Sequence, residues 1–393
     1  MKILHIIPYR HLYPPKNGGQ LRCFHILDQL SKYYKVDVIC YQTKESIYKR
    51  GFVNSNVTFY SPSSFAKSKT ILSSVLPKKV YNAGLSRLLS KNFFEPAVEE
   101  VIEFQHLIKN LVSNDYNYIV LEHIRTLSLA PVLNKYFPNS HRILNAHNVD
   151  HLLLDSKDPN YAKVLEKERK LYKRVHSFWA CSKKDKNILE TLNDKKIKGY
   201  VIPNGVEIDD TFEKNLTESN NKKLLFCGSL DYYPNKNGLL WFYSNVWSVL
   251  KEKINGVELT IIGRGSTEGY TALNDDEQIN FIGEVDDVKP YYKSNPIAIV
   301  PIFEGSGTRL KVLEAMSYKT AMVTTSKGIE GIDYKDKIHA ITANDTNEFI
   351  IGISSLMENK ELRKKVVDNA RILVKSNYSW NVVGEKICKH LNG

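Results

Sequence analysis

Short apolar runs that stop abruptly, each followed by a longer stretch of helical period, recur along this chain and then start again. Such runs lie at 2–7, 36–41, 57–60, 118–122, 142–146, 177–181 and 199–202, with helical stretches at 20–32, 98–112 and 161–175 among them. A strand that is apolar along its whole length is buried on both faces, which requires a parallel sheet covered by helices on both sides. The alternation resumes after residue 221. Strands are expected at 224–227, 258–262, 279–282, 298–302 and 321–324, and helices at 235–252, 285–294, 309–318 and 361–374. The expected class is α/β with two doubly wound units. A length of 393 residues agrees, because single cores stop growing near about 250–300 residues.

The join is expected at 208–221, where Asp209-Asp210-Thr211 and Thr217-Glu218-Ser219-Asn220-Asn221 show no apolar period. This gives a first domain over 1–207, a linker over 208–221, a second domain over 222–375, and a C-terminal helix over 376–393 that is expected to pack back on the first. Charge is split unequally between the halves. Of the formal net +12, residues 1–200 carry +15 and residues 201–393 carry −3. Within the basic half, residues 61–94 interleave Lys67, Lys69, Lys78, Lys79, Arg87 and Lys91 with apolar residues such as Phe65, Leu72 and Leu76, and hold no acid. That pattern suits an anionic membrane surface better than nucleic acid. No apolar run approaches the ~20 residues that cross a bilayer. Five cysteines without a Cys-x-x-Cys pair argue against a disulfide framework and against a zinc site. The expected location is cytoplasmic, with peripheral contact at the inner face of the membrane.

The richest stretch chemically runs from Pro301 to Met316: a strand, a loop containing Glu304, Gly305, Ser306, Gly307 and Thr308, and then a helix. Free backbone N–H groups and the helix dipole at such a junction attract an anion. Arg309 and Lys311 put positive charge in the first turn, where it is unfavourable unless an anionic ligand compensates it. Leu310 lies between them. Glu314 follows Lys311 by three residues, on the same face, placed to accept the two hydroxyls of a ribose. Phosphate donors followed by a diol acceptor point to a nucleotide. By contrast, Gly263-Arg264-Gly265 with Gly269 only half matches a dinucleotide fingerprint and reads as a strand-end turn.

Several motifs in order resemble glycosyltransferase family 4. They are Asn17-Gly18-Gly19, Asn145-Ala146-His147-Asn148-Val149, Ile202-Pro203-Asn204-Gly205-Val206, Phe226-Cys227-Gly228-Ser229-Leu230, Phe281-Ile282-Gly283-Glu284-Val285 and the segment from Gly307 to Met316, which is similar to a subgroup reading Gly-Thr-Arg-Leu-Lys. The resemblance implies a GT-B fold, two Rossmann-like domains facing across a cleft. It further implies a retaining, metal-independent hexosyltransferase of cell-surface polysaccharide synthesis, such as capsule. No cofactor is expected beyond a nucleotide diphosphate sugar as co-substrate, UDP- or GDP-linked, and the acceptor is a glycan or a lipid-linked glycan. By the same resemblance Gly18 and Gly19 form a turn against the diphosphate, Arg309 and Lys311 hold the leaving diphosphate, and Glu314 binds the ribose. His123 lies near the donor sugar, with His147 a second candidate and Asn204 a further substrate contact. Lys236 stands in for the family's second-domain lysine, Ser229 occupying the usual arginine's place. Strict spacing back from Glu314 lands on Ser306 rather than Glu304, so both are candidates for the family's first glutamate. No Asp-x-Asp motif is present, and a leaving phosphate oxygen can itself take the acceptor's proton. The alternatives are a GT-B nucleotide-sugar epimerase and a catalytically silent partner subunit.

Overall fold

A computed structural model describes residues 1–9, 12–42, 55–62, 98–111, 113–214, 222–305 and 307–393. Most of the basic segment at 61–94, residues 215–221 of the expected linker, and Ser306 therefore lie outside the described residues. The chain divides into two compact units. The first comprises Met1–Ile202 with Gly384–Gly393, and the second Pro203–Val383.

The first unit is built on seven strands: β1 (Lys2–Ile6), β2 (Lys35–Ile39), β3 (Val57–Tyr60), β4 (Tyr118–Glu122), β5 (His141–Asn145), β6 (Ser177–Ala180) and β7 (Lys198–Val201). Their order is β3-β2-β1-β4-β5-β6-β7, and every neighbouring pair is parallel. The order reverses between β1 and β4, which places the ends of β1, β4 and β5 at the natural ligand position of such a sheet. Among the described residues, five α-helices connect the strands: α1 (Gly18–Tyr33), α2 (Val98–Asn110), α3 (Ala130–Tyr136), α4 (Tyr161–Tyr172) and α5 (Lys183–Leu192). Asn17 starts α1 by accepting Gln20 N–H, and Ser182 starts α5 by accepting Asp185 N–H, both at 3.0 Å. Each satisfies a backbone donor that the helix itself cannot. Leu4, Ile6, Ile119, Leu121, Leu144 and Phe178 lie in the buried core between sheet and helices.

The second unit has six strands: β8 (Lys223–Cys227), β9 (Glu258–Ile262), β10 (Ile279–Gly283), β11 (Ile297–Val300), β12 (Ala321–Thr324) and β13 (Ile341–Thr342). Their order is β10-β9-β8-β11-β12-β13, again all parallel. Its helices are α6 (Tyr233–Phe242), α7 (Ser248–Lys253), α8 (Thr271–Asn274), α9 (Lys289–Ser294), α10 (Leu310–Ser317), α11 (Thr346–Glu358) and α12 (Lys360–Asn377). The single helix expected over 235–252 is divided by a wider turn at Tyr243–Trp247, where Trp247 is buried and donates Nε1–H to Asp276 at 2.9 Å. Strand β13 is too short to leave a pattern. Helix α11 went unread although Asp345 and Glu348 form its capping pair, Asp345 accepting Glu348 N–H and Glu348 accepting Asn344 N–H.

The boundary falls between Ile202 and Pro203, ahead of the expected 208. Residues 208–214 are not a solvated linker but part of the second unit. Asp209 pairs with Lys289, Asp210 with Lys375 at 2.9 Å, and Asp209 O accepts from Arg371 at 2.8 Å. Lys214 is buried, donating to Tyr292 O, to Asn295 O at 2.8 Å and to Thr320 Oγ1 at 2.7 Å. The last helix, α13 (Trp380–Asn392), ends in the first unit, where Leu391 O accepts Tyr118 O–H at 2.9 Å and His390 Nδ1 accepts Trp179 Nε1–H at 2.9 Å. No helix among the described residues is long and apolar enough to cross a membrane.

Gly238 shows how closely α6 approaches the exit from β11. A Cβ there would lie 1.8 Å from Pro301 O. Alanine in place of a helical glycine ordinarily stabilises by up to ~1 kcal/mol. Here Gly238→Ala is expected to destabilise the second unit by roughly 1–3 kcal/mol through overpacking, measured by urea unfolding; a stabilised variant would contradict this packing.

Candidate functional site

In the first unit, side chains from the ends of three strands converge on one carboxylate. Glu122 closes β4 and is fully buried. Its Oε1 accepts from His5 Nε2 at 2.6 Å and Asn145 Nδ2 at 3.0 Å, and its Oε2 accepts from Asn145 Nδ2 at 2.9 Å and His147 Nε2 at 2.7 Å. Burial pushes the Glu122 pKa up, but the hydrogen bonds from His147 and His5 prevail and hold it well below the ordinary carboxylate range. Asn145 Oδ1 in turn accepts Nε and Nη2 of Arg22 at 3.1 and 2.6 Å, and Arg22 Nη2 also donates to Ile202 O at 2.8 Å. One chain of contacts therefore ties α1, β4, β5 and the end of the first unit together.

Gly18 and Gly19 open α1 rather than forming a separate turn. The space a Gly19 side chain would fill is already occupied: its Cβ would lie 2.3 Å from the Tyr9 hydroxyl and 3.4 Å from His147 Nδ1. His123 follows β4 at φ 65° and ψ 149°, a region essentially reserved for glycine and costing on the order of 1–3 kcal/mol. Its N–H still donates to Asn145 O at 3.1 Å, so the ladder holds while the backbone turns. Its Nδ1 accepts Arg125 N–H at 3.4 Å, and its ring lies edge-on to His147 with centroids 5.8 Å apart. Burial, then His147 and Arg125, lower its pKa to about 3, so the ring is neutral at physiological pH. The structure thus brings Gly19, His123 and His147 together.

Two further buried acids, Asp150 and Glu168, lie nearby. Glu168 accepts the N–H groups of Asp150 and His151 at 3.1 and 3.2 Å and pairs with His151 Nδ1 at 2.6 Å. Asp150 is buried, and its Oδ1 lies 3.8 Å from His123 Nε2 without a hydrogen bond of its own. Burial and the nearby Glu168 raise the Asp150 pKa well above the ordinary aspartate range. Glu122, Asn145, Arg22, His5, Asp150 and Glu168 were not singled out from sequence. A polar residue closing an apolar run, as Glu122 closes Ile119-Val120-Leu121 and Asn145 closes Ile143-Leu144, is the available signal, since such a group must be paired when buried.

Cys23, Glu122 and His147 offer ligand atoms within 4.8 Å of one another, and all three are buried. A metal would need His147 Nε2, yet that nitrogen already donates to a carboxylate that takes four N–H bonds. Burial, then the charge of Glu122, also raise the Cys23 pKa, which keeps the thiol protonated. As arranged, the trio is a hydrogen-bonded core rather than an open coordination site.

In the second unit the site lies where β8 and β11 meet α10. Lys311 Nζ donates to Asn235 Oδ1 at 2.9 Å and sits 4.8 Å above the Phe226 ring. Gly228 makes room for it, because a Cβ there would be 2.4 Å from Nζ. Burial lowers the Lys311 pKa to about 8, and burial raises that of Glu314, one turn along. No side chain caps the start of α10. Thr308 is buried and its hydroxyl has no hydrogen-bond partner. An uncapped helix start, an unmet hydroxyl and an enclosed ammonium are each groups that an anion could satisfy.

Other residues of this loop have different surroundings. Arg309 folds back, donating from Nη1 to Gly307 O and from Nη2 to Glu304 O, both at 3.0 Å, so it braces the loop. Gly305 and Gly307 turn at φ 92° and 85°, which glycine alone adopts without strain. Glu304 accepts Asn237 Nδ2 at 2.8 Å, and Leu310 begins α10. Lys236 faces the 268–270 turn, with Nζ 3.4 Å from Glu268 O and 5.5 Å above the Tyr270 ring. Asn204 is buried at the start of the second unit.

The raised Asp150 pKa has a sign that can be checked. The unfolded chain ionises this carboxyl near pH 3.9, whereas the folded protein resists ionisation, so above that pH the group opposes folding. Asp150→Asn should therefore raise stability by about 0.5–2 kcal/mol at pH 7.5, with the gain vanishing near pH 4 in urea unfolding. An equal gain at both pH values would show that charge is not the cause.

Residues 221–359 match the family described as Glycosyl transferases group 1. An uncharacterized 44.6 kDa protein in the cps region of Klebsiella pneumoniae is 26% identical over 299 residues, 71% of this chain and 75% of its own length. An uncharacterized glycosyltransferase of Haemophilus influenzae is 27% identical over 240 residues, 58% of this chain and 65% of its own. Among solved structures, sucrose-phosphate synthase from Thermosynechococcus elongatus superposes with a TM-score of 0.73 at 14% identity, covering 100% of this chain and 98% of that one. HepE from Anabaena, solved in complex with UDP, gives 0.70 at 12% identity and covers 100% of both chains. With both parallel-sheet units accounted for, the chain has the GT-B fold, and most of its second unit matches the family described as Glycosyl transferases group 1.

Proposed function

We propose that this protein is a retaining, metal-independent glycosyltransferase that takes a sugar from a nucleotide diphosphate sugar, UDP- or GDP-linked, and passes it to a glycan or lipid-linked acceptor. The observation that carries this reading is the anion site of the second unit, inside the group 1 domain. Lys311 is held by Asn235 under Gly228, beside the uncapped start of α10 and the unmet hydroxyl of Thr308. A diphosphate supplies what all three lack. Fixed charge aimed at a leaving diphosphate stabilises the negative charge that builds as the sugar–phosphate bond breaks, without reorganisation. Glu314, one turn along, is the ribose ligand of this reading. Arg309 acts by bracing the loop between Glu304 and Gly307. Retention and independence of metal rest on the family resemblance. HepE was solved in complex with UDP, which supports a nucleotide-linked donor, and the Klebsiella relative is described as lying in a cps region, which supports a role in building surface polysaccharide.

In this reading the first unit takes the acceptor, with His123 and His147 toward the sugar, at the cytoplasmic face of an anionic membrane. Support for the membrane contact comes from the charge surplus of the first 200 residues and from α4. That helix buries Val164, Leu171 and Tyr172, and exposes Lys163, Arg169 and Lys170, with Lys173 and Arg174 following. Replacing those five basic residues by Gln should reduce sedimentation with vesicles rich in phosphatidylserine at low salt; unchanged sedimentation would exclude α4 as the contact.

The nucleotide site makes a pH prediction. With its pKa near 8, the Lys311 amine is charged below that pH and neutral above it. Calorimetric affinity for UDP or GDP should weaken as pH rises through about 8 to 9.5. Lys311→Met should weaken binding roughly 10–100-fold at pH 7 and flatten this dependence. Affinity unchanged in the variant would remove the diphosphate from this site. Release of nucleotide from UDP- or GDP-sugars supports the transferase.

A further inference from the structure

His147 has two ring nitrogens, and its surroundings distinguish them. Nε2 lies 2.7 Å from Glu122 Oε2, inside a fully buried cluster. Nδ1 lies on the side of Gly19, close to where a side chain on that residue would begin. Tyr9 stacks beside the ring with centroids 6.4 Å apart, and His123 meets it edge-on.

The carboxylate decides which nitrogen carries the proton. Glu122 receives N–H groups on both oxygens, from His5, Asn145 and His147. The orientation of Asn145 is not free to reverse: its Oδ1 must face the two Arg22 donors, so its amino group must face Glu122. Glu122 is thereby an ionised acceptor, and His147 Nε2 must be the donor. The opposite tautomer would set a bare nitrogen against a buried carboxylate and forfeit a charge-assisted hydrogen bond, which disfavours it by more than about tenfold. His5 repeats the pattern: its Nε2 donates to Glu122, and its buried Nδ1 has no partner.

We infer that Glu122 is a positioning residue which locks His147 as the Nε2–H tautomer and leaves Nδ1 as an unprotonated acceptor on the side of Gly19, where the Tyr9 hydroxyl now lies and where a carbohydrate hydroxyl would take its place. The hydroxyl part of this inference rests on the transferase reading. The tautomer part does not. An orienting carboxylate behind an imidazole fixes both the ring angle and the nitrogen that is free to take a proton. Neither can be achieved by burial alone.

Long-range 1H–15N correlation spectra of protein labelled at histidine nitrogen test the tautomer directly. The His147 signals are identified as those missing from His147→Asn. The expected wild-type pattern is a single Nε2–H tautomer, changing to a mixture in Glu122→Gln. An Nδ1–H pattern in the wild type overturns the inference even if the Gln variant fails to fold. An unchanged tautomer in a folded Glu122→Gln protein, judged by its thermal melt, overturns it as well. In turnover of a UDP- or GDP-sugar, Glu122→Gln should lower kcat on the order of 10²-fold and leave the donor KM within about twofold; an effect confined to KM overturns the positioning role. Failure of the wild type to turn over any nucleotide sugar would sink the transferase reading, while the spectra would still decide the tautomer.

Discussion

A carboxylate buried at the end of a parallel strand has to be compensated, and the first unit is organised around meeting that requirement at Glu122. Its four accepted hydrogen bonds come from residues on β1, from the end of β5 and from the residue two beyond it. Asn145 then passes the demand to Arg22 on α1, which reaches on to Ile202 at the close of the unit. Satisfying one charge thus fixes the relative positions of four elements. The arrangement also fixes His147, and with it the neighbourhood of Gly19 and the strained backbone of His123. Strain of that kind persists only where surrounding contacts over-determine it.

The second unit solves the inverse problem. Lys311 is an enclosed cation rather than an enclosed anion, and its ammonium donates to the neutral oxygen of Asn235 over the face of Phe226. Burial disfavours an ammonium so placed and lowers its pKa, with Arg309 adding to the effect. The glycine at 228 and the bracing of the 304–307 loop by Arg309 are what let the cation sit there. In one unit the buried charge is met by four hydrogen bonds from the protein; in the other, the proposed diphosphate would complete the surroundings of the cation. That contrast is the physical basis for assigning a structural and orienting role to Glu122 and a binding role to Lys311.

Much of this was legible beforehand. The apolar strands, their restart after residue 221 and the loop-to-helix junction before Leu310 follow from local pattern, because a fully buried strand and a helix start leave marks within a few residues. Roles within the site were less legible. Arg309 and Lys311 are two positions apart and chemically alike, yet one turns back on its own loop and the other reaches Asn235 on α6, a choice set by contacts 76 residues away in sequence. The linker was misplaced for a similar reason: Asp209 and Asp210 look solvated until Lys289, Arg371 and Lys375 are brought beside them.

Sequence by itself determined two parallel-sheet units, a loop-to-helix junction carrying Arg309 and Lys311 in the second, and a concentration of positive charge in the first, since periodicity and composition act over short distances along the chain. Tertiary structure alone decided which polar groups meet. Nothing near position 122 announces that its carboxylate will face His5, Asn145 and His147, because those partners lie 117, 23 and 25 residues away and are gathered only when β1, β4 and β5 pair in register.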